Sequence, residues 1–388
     1  MFSILLPIIY ISFISLGLPD SLLGAAWPTM QVQYAVPVSY AGIVSMIISC
    51  GTVISALMSD ALTARLGAGR VTAISAGLTA GALLGFSVSS SFWALCLFAV
   101  PYGLGAGSVD AALNNYVALH YASRHMSWLH CMWGVGTTIG PFVMGRALSA
   151  GHGWSMGYRY IGLIQLAICA LIIFSLPAWK RAEGDSAAGA TKREPLPLKS
   201  VVAIPGAREV MLSFFCYCAY EQTAMLWGSS YLVGAAGLDA ERAASLASLF
   251  CLGITVGRGL CGFVTYKLSD TQMIRLGEGA VLIAAGLMLL PFGAWCKMAG
   301  LVLTGLGCAP IYPCVIHSTP AHFGAERSQA IIGIQMASAY IGTTIVPSIF
   351  GLLAQLLSVK LLPVFIIILA VCGALMYERL MRICPKNV

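Results

Sequence analysis

The chain has 388 residues, of which 59% are hydrophobic and 9% charged, with a formal net charge of +7 and a mean hydropathy of +0.88. Soluble domains carry about a quarter charged residues, so a water-soluble enzyme is excluded. A membrane-crossing helix needs about 20 apolar residues, so twelve of them would use most of the chain and leave no separate catalytic domain.

The start, Met1-Phe2-Ser3-Ile4-Leu5-Leu6, has no basic residues, and its apolar run continues through Leu18 to Trp27. It reads as a retained first membrane helix and not as a cleaved signal. Apolar stretches then recur at about 2–28, 38–60, 71–90, 93–119, 127–149, 155–178, 207–233, 242–266, 271–293, 297–319, 328–356 and 361–382. The expected fold class is therefore an all-α membrane protein with twelve transmembrane helices in two pseudo-symmetric six-helix bundles, 1–178 and 206–388. Between them, 179–205 is polar and charged, with Lys180, Arg181, Glu183, Asp185, Lys192, Arg193, Glu194 and Lys199, and reads as a mobile cytoplasmic linker.

With both termini cytoplasmic, fifteen basic residues fall on inside segments and five on outside ends, and Arg258 lies within a span. The positive-inside rule then fixes the orientation. The net charge follows from topology and leaves no nucleic-acid footprint. The 42 glycines suit close helix packing in lipid. The 13 cysteines are scattered through apolar runs, as at Cys50, Cys96, Cys169, Cys251 and Cys372, and read as small buried hydrophobes.

An internal repeat is visible. An offset of 206 residues lays Gly136-Thr137-Thr138-Ile139-Gly140-Pro141-Phe142-Val143-Met144-Gly145 over Gly342-Thr343-Thr344-Ile345-Val346-Pro347-Ser348-Ile349-Phe350-Gly351, with six of ten positions identical. An offset of 202 pairs Gly103-Leu104-Gly105 with Gly305-Leu306-Gly307, and one of 201 pairs Asp20 with Glu221. Duplicated bundles of this kind place a binding site near the midplane where the halves meet.

Over its whole length the chain resembles the major facilitator superfamily. Ser59 to Arg70, between the second and third spans, is similar to that superfamily's cytoplasmic loop motif, with Asp60, Arg65 and Arg70 kept and the usual preceding glycine missing. The resemblance implies a gating role for these three. An acid at a helix end that pairs with arginines in one state and releases them in another gives a physical basis for it. A degenerate second copy lies around Lys267 to Asp270. Gly17-Leu18-Pro19-Asp20-Ser21 in the first span together with Asp110 in the fourth most resembles the fucose permease-related branch of sugar/proton symporters.

An ionised carboxylate at the bilayer centre costs roughly 2.5 to 3.5 kcal/mol on insertion scales, so intramembrane acids call for a reason. Asp20, Asp110 and Glu221 qualify as proton-coupling candidates, each with the alternative of a structural acid that fixes helix packing. Pro19 frees backbone groups beside Asp20, as in transporter helices that open around a site. His130, three residues before Trp133, is a candidate relay near neutral pH, or else a satisfied core histidine.

Candidate substrate-binding residues are Asn114, Asn115 and Trp133 in the first half and Gln222, Trp227, Tyr312, His317, Gln335 and Tyr340 in the second. Amides bond sugar hydroxyls and indoles stack on pyranose faces. The alternatives are interhelical glue for the amides and an interfacial belt for the tryptophans. Tyr231 reads as an interfacial anchor. Arg258 cannot lose its charge and needs a partner, either in a structural ion pair, for which Glu221 is the candidate, or in an anion or substrate contact.

No phosphate-binding glycine loop, metal-spaced His/Cys cluster or nucleophile triad is present, so no enzyme activity and no cofactor are expected. The leading expectation is a secondary active transporter. By resemblance it moves a sugar or similar small polar solute with a proton, by alternating access; the short loops point to a bacterial inner membrane, and one twelve-helix chain already contains a complete pathway. Gly136 to Gly145 also resembles, with Met144 replacing one glycine, a motif of proton antiporters in the superfamily. That keeps a drug or metabolite/proton antiporter as the alternative. A membrane sensor without flux is the third reading.

Overall fold

The computed structural model describes residues 5–20, 22–37, 40–186, 195–238 and 240–384. Helices dominate throughout. They are α1 (Leu5–Gly17), α2 (Leu22–Tyr34), α3 (Tyr40–Leu66), α4 (Ala68–Val88), α5 (Phe92–His120), α6 (Ser123–Ser149), α7 (Gly153–Ser186), α8 (Leu198–Val202) and α9 (Ala207–Ala236). They continue as α10 (Ala240–Val264), α11 (Asp270–Leu289), α12 (Ala294–Cys308), α13 (Ile311–Phe323), α14 (Ala325–Leu356) and α15 (Leu362–Ile383).

Among the described residues, nine helical segments are long and apolar enough to cross a membrane. Two of them are broken by proline. Leu5–Tyr34 counts as one crossing, interrupted by a turn at Leu18, Pro19 and Asp20. Proline offers no N–H and its ring collides with the preceding turn, so the helix stops at Gly17 and restarts at Leu22. Ala294–Phe323 is interrupted in the same way before Ile311, where Pro310 sits at the helix cap.

Three further helices, α6, α9 and α10, have 27, 30 and 25 residues. Ionisable residues such as Arg124 and Arg146 in α6, Glu209 and Glu221 in α9 and Arg258 in α10 lower their hydropathy. In α10 the apolar part is confined to Leu249–Val264. Large apolar side chains such as Trp93, Phe142, Phe174, Phe263 and Ile283 are exposed, which hydrocarbon tolerates and water does not.

The chain divides into two compact units. The first comprises Met1–Tyr116 and Leu129–Pro197, the second Val117–Trp128 and Leu198–Val388. The turn between α5 and α6 thus groups by its contacts with the second unit, although most of both helices belongs to the first.

In the first unit α4 packs along α7. At Gly69 a Cβ would stand 2.6 Å from the ring of Trp179, which is buried and tilted against Tyr116 at 5.0 Å. This contact anchors α7 at Trp179, the first residue of the stretch read from sequence as a linker, and the helix continues to Ser186. Another part of that stretch, Leu198–Val202, is the short helix α8. Residues 187–194 lie outside the described residues.

In the second unit α9 is central. Its Tyr231 hydroxyl donates to the carbonyl of Met288 at 2.9 Å and the side chain is buried, so it is a packing residue and not the interfacial anchor expected from sequence. The Arg275 guanidinium clamps Glu378 with two bonds of 2.6 and 2.8 Å, joining α11 to α15.

Candidate functional site

In the first unit, glycines bring two backbones together. A Cβ on Gly17 would collide with the carbonyl of Trp133, one on Gly136 with that of Ile14, and one on Gly140 with that of Leu18. Side chains larger than hydrogen are excluded on both helices, so α1 and α6 touch backbone to backbone. The glycine motif of α6 therefore has a packing role here. Gly136→Val should separate the helices and lower stability by about 1–3 kcal/mol, the usual cost of overpacking. Thermal unfolding in detergent checks this, and an unchanged midpoint would contradict it.

This contact sets Asp20, in the turn after α1, beside Trp133. The indole Nε1–H donates to Asp20 Oδ2 at 2.8 Å, and the Tyr102 hydroxyl donates to Oδ1 at 3.4 Å. Asp20 is exposed on its remaining side. An acid held by two donors and not enclosed by protein on its remaining side can take up a proton or accept a ligand hydroxyl.

Asp110 lies one helical turn before Asn114 on α5, and the Asn114 amide donates to Asp110 Oδ1 at 2.8 Å. Its other end, Asn114 Oδ1, lies 3.0 Å from His130 Nε2. An ionised carboxylate only accepts, so the Asn114 NH2 must face it and the carbonyl must face His130. With Asp110 ionised, His130 Nε2 is then the donor to that carbonyl. The edge of Phe13 closes over the imidazole, with centroids 5.2 Å apart. All three polar residues are buried, as is Asn115.

In the second unit, Arg258 Nη2 lies 3.2 Å from Glu221 Oε1, the partner expected from sequence. Gly257, beside the arginine in sequence, is pressed against Ala309, where a Cβ would stand 2.6 Å from the alanine methyl. The guanidinium stands 5.7 Å from the ring centroid of Tyr312, close enough for a cation–π contact. The Tyr312 hydroxyl points to Met336 Sδ at 3.2 Å. Tyr217, one turn before Glu221, donates to the carbonyl of Cys308 at 3.1 Å.

Glu221, Arg258 and Tyr312 are thus assembled, with Gln222 half-buried next to Glu221 in sequence. Other second-half candidates are engaged differently. The Trp227 indole donates to Pro347 O at 2.9 Å, and its ring covers Gly351. Gln335 is fully buried and accepts from Thr319 at 3.1 Å. The carbonyl of Tyr340 accepts from the Thr343 and Thr344 hydroxyls.

His317 belongs to a separate cluster around the start of α11. A capping box between Ser269 and Gln272 fixes that helix start and places Asp270 in its first turn. Asp270 Oδ1 accepts from Ser123 at 2.5 Å, and Oδ2 lies 2.7 Å from His317 Nδ1. His317 Nε2 lies 3.1 Å from the carbonyl of Tyr121. Both ring nitrogens face acceptors, an arrangement satisfied in full by an imidazolium. The turn from Val117 to Trp128 is thereby tied to α11 and α13, and Trp128 adds a bond from its indole to Gly259 O at 3.3 Å.

Of the loop motif, Asp60 is buried and accepts from the backbone N–H of Leu196 at 3.1 Å. Arg65 and Arg70 are exposed. Sequence reasoning missed Tyr102, Tyr217, Ser123 and Leu196. Tyr217 had a signal, since it precedes Glu221 by four residues, and Asp270 lay in the degenerate repeat of the loop motif. Ser123 and Leu196 had none.

Comparison with known proteins gives the family. The model of the Major Facilitator Superfamily matches residues 9–303. The chain is 24% identical over 395 residues to Bypass of stop codon protein 6 of Saccharomyces cerevisiae, covering 91% of this chain and 77% of that protein. It is also 24% identical to the membrane sensor protein UhpC of Escherichia coli, over 63% of this chain and 60% of that one. Among solved structures, the E. coli fucose:proton symporter FucP superposes with a TM-score of 0.78 at 15% identity, covering 99% of both chains. The proton:xylose symporter XylE superposes with a TM-score of 0.78 at 11% identity, over 98% of this chain and 95% of that one. At these identities the structural likeness carries the fold, and the family match carries membership: the chain is an integral membrane transporter of the Major Facilitator Superfamily.

Proposed function

We propose that this transporter carries a small polar solute of the sugar class in symport with a proton. Nine apolar segments together with α6, α9 and α10 make twelve crossings, six in each half, and the two halves alternate access to the solute. The fifteen-to-five distribution of basic residues supports cytoplasmic termini, and the short connections suit a bacterial inner membrane.

The observation that carries the reading is Asp20, an exposed carboxylate at a proline break inside an apolar crossing, held by Trp133 and Tyr102. Such a group is costly unless it works, and proton uptake followed by release is work that a carboxylate does. The indole supplies a flat apolar face and an N–H, both suited to a sugar ring. Asp110, Asn114 and His130 form a second proton-holding group behind it, and Glu221 with Arg258 a third. Of Asn115, Gln222, Trp227, Tyr312, His317, Gln335 and Tyr340, we assign solute contact first to Gln222 and Tyr312, which adjoin Glu221 and Arg258. His317 and Asp270 act with Asp60, Arg65 and Arg70 in gating. FucP and XylE, which share the fold, are described as fucose:proton and proton:xylose symporters.

Two other readings have specific support. The α6 glycine motif resembles one of proton antiporters, although its packing against α1 already accounts for the glycines, and the similarity to UhpC favours a sensor. Proteoliposomes separate all three. With labelled L-fucose and D-xylose, a symporter accumulates solute when the outside is acidified. Accumulation under the opposite gradient would establish antiport, and solute binding with no flux under either gradient would establish a sensor.

A further inference from the structure

The first unit contains a polar cavity that none of the residues assigned above lines. Around it stand Ser12 and Ser15 of α1, Thr72, Ser75 and Thr79 of α4 and Gln165 of α7, all buried. Gln165 is 2% exposed. Its amide Nε2–H donates to Thr79 Oγ1 at 2.8 Å, and its Oε1 has no partner among the described residues. A buried carbonyl left without a donor is costly, and in a native fold it marks the place of a bound molecule. Three of the surrounding hydroxyls cannot serve it. Ser12 donates to the carbonyl of Ile8 and Thr72 to that of Ala68, both at 2.8 Å, and Thr79 to those of Ser75 and Ala76 at 3.1 Å. Each has spent its single hydrogen on its own helix and keeps lone pairs for the cavity. Ser15 and Ser75 add hydroxyls that can donate or accept.

Size and charge select the occupant. The centre of a water molecule has about 10 Å³ of room there, enough for one molecule and too little for an organic solute. No acidic or basic side chain is among the described residues that line the cavity, so a metal cation would be buried without a counter-charge, which is costly. Turning the Gln165 amide over would aim its NH2 at the cavity instead. A water meets either end of the amide and a cation only one. We infer that the cavity is a binding site for a single water, which gives one hydrogen to Gln165 Oε1 and the other to Ser12 or Thr72, and accepts from Ser15 or Ser75. One exchangeable molecule thereby joins α1, α4 and α7. On its other side α1 meets α6 backbone to backbone at Gly17. Towards α4 and α7, Ile8 supplies the apolar contact and the water the polar one. That side of α1, the helix leading into the Asp20 turn, can shift by swapping hydrogen bonds without opening an apolar seam. The site needs neither the solute nor the coupling mechanism proposed above.

Diffraction from crystals of the full-length protein, at a resolution that shows ordered waters, tests the site without any variant. One peak should stand about 2.7–3.2 Å from Gln165 and from at least one of the Ser12, Ser15, Thr72 and Ser75 hydroxyls. A protein donor bonded to Gln165 Oε1, no peak in the cavity, or a peak with the short, many-oxygen coordination of a metal ion would overturn the inference. Unfolding midpoints in sodium, potassium and choline chloride at equal ionic strength should coincide, and a rise specific to one metal ion would count against water. In solution, radiolytic footprinting modifies side chains beside a bound water even where bulk solvent does not reach. Ile172 lines the cavity and is 1% exposed. It should be labelled in the wild type and several-fold less in Gln165→Leu, with the exposed His152 labelled alike in both. Equal labelling of Ile172 in the two proteins would overturn the assignment.

Discussion

Replacing Asp20 by Asn is expected to reduce gradient-driven uptake in proteoliposomes to the level of protein-free vesicles, while exchange of labelled for unlabelled solute across the same membrane continues. The amide keeps the size of the side chain and still accepts from the Trp133 indole through its carbonyl oxygen, so the turn at Pro19 and the α1–α6 contact are retained. What it loses is the ability to take up and release a proton. Exchange needs only solute binding and the conformational change, whereas accumulation needs the proton as well. Uptake by Asp20→Asn equal to that of wild type would remove this residue from the coupling step.

The Glu221–Arg258 pair should respond asymmetrically to removal of either member. Glu221→Gln leaves a buried guanidinium without its counter-charge, and breaking a buried pair in this way costs about 3–5 kcal/mol. Arg258→Gln leaves a carboxylate that escapes the penalty by binding a proton, so it should cost less, and its deficit should shrink as the pH is lowered. The double variant removes both charges and should be more stable than Glu221→Gln alone. Unfolding midpoints of the three variants across a range of pH give the comparison. Equal losses in the two single variants, independent of pH, would show that the contact has no role beyond packing.

Much of this arrangement was legible in the sequence because it rests on local rules. A proline before an acid in an apolar run marked the break at Asp20, and a lone intramembrane arginine required a carboxylate, which Glu221 supplies at 3.2 Å. The spacing of Asp110 and Asn114 by four residues already placed them on one helix face. What stayed hidden depends on contacts between distant segments. Ser123 and Asp270 are 147 positions apart, and nothing local marks a serine in a turn as the partner of a helix-capping aspartate. Leu196 meets Asp60 through its backbone N–H, which every residue except proline possesses. Trp179 fits over Gly69 and anchors α7 where the linker was expected to begin, a complementarity of shape that composition does not register. Tyr231 misled for a related reason: its position near a span end suggested an interface, and only the fold reveals the Met288 carbonyl that accepts a hydrogen bond from its hydroxyl.

The central claim is that Asp20 exchanges protons with bulk water from within an apolar crossing. Infrared difference spectra of the purified transporter, recorded while the surrounding pH is stepped, report directly on protonated carboxyl groups. One of the carboxyl bands that appear and disappear with pH in the wild-type protein should be missing from the spectra of Asp20→Asn, while those of the other acids persist. Identical difference spectra for the two proteins would mean that no proton reaches Asp20, and the coupling mechanism built on it would fall.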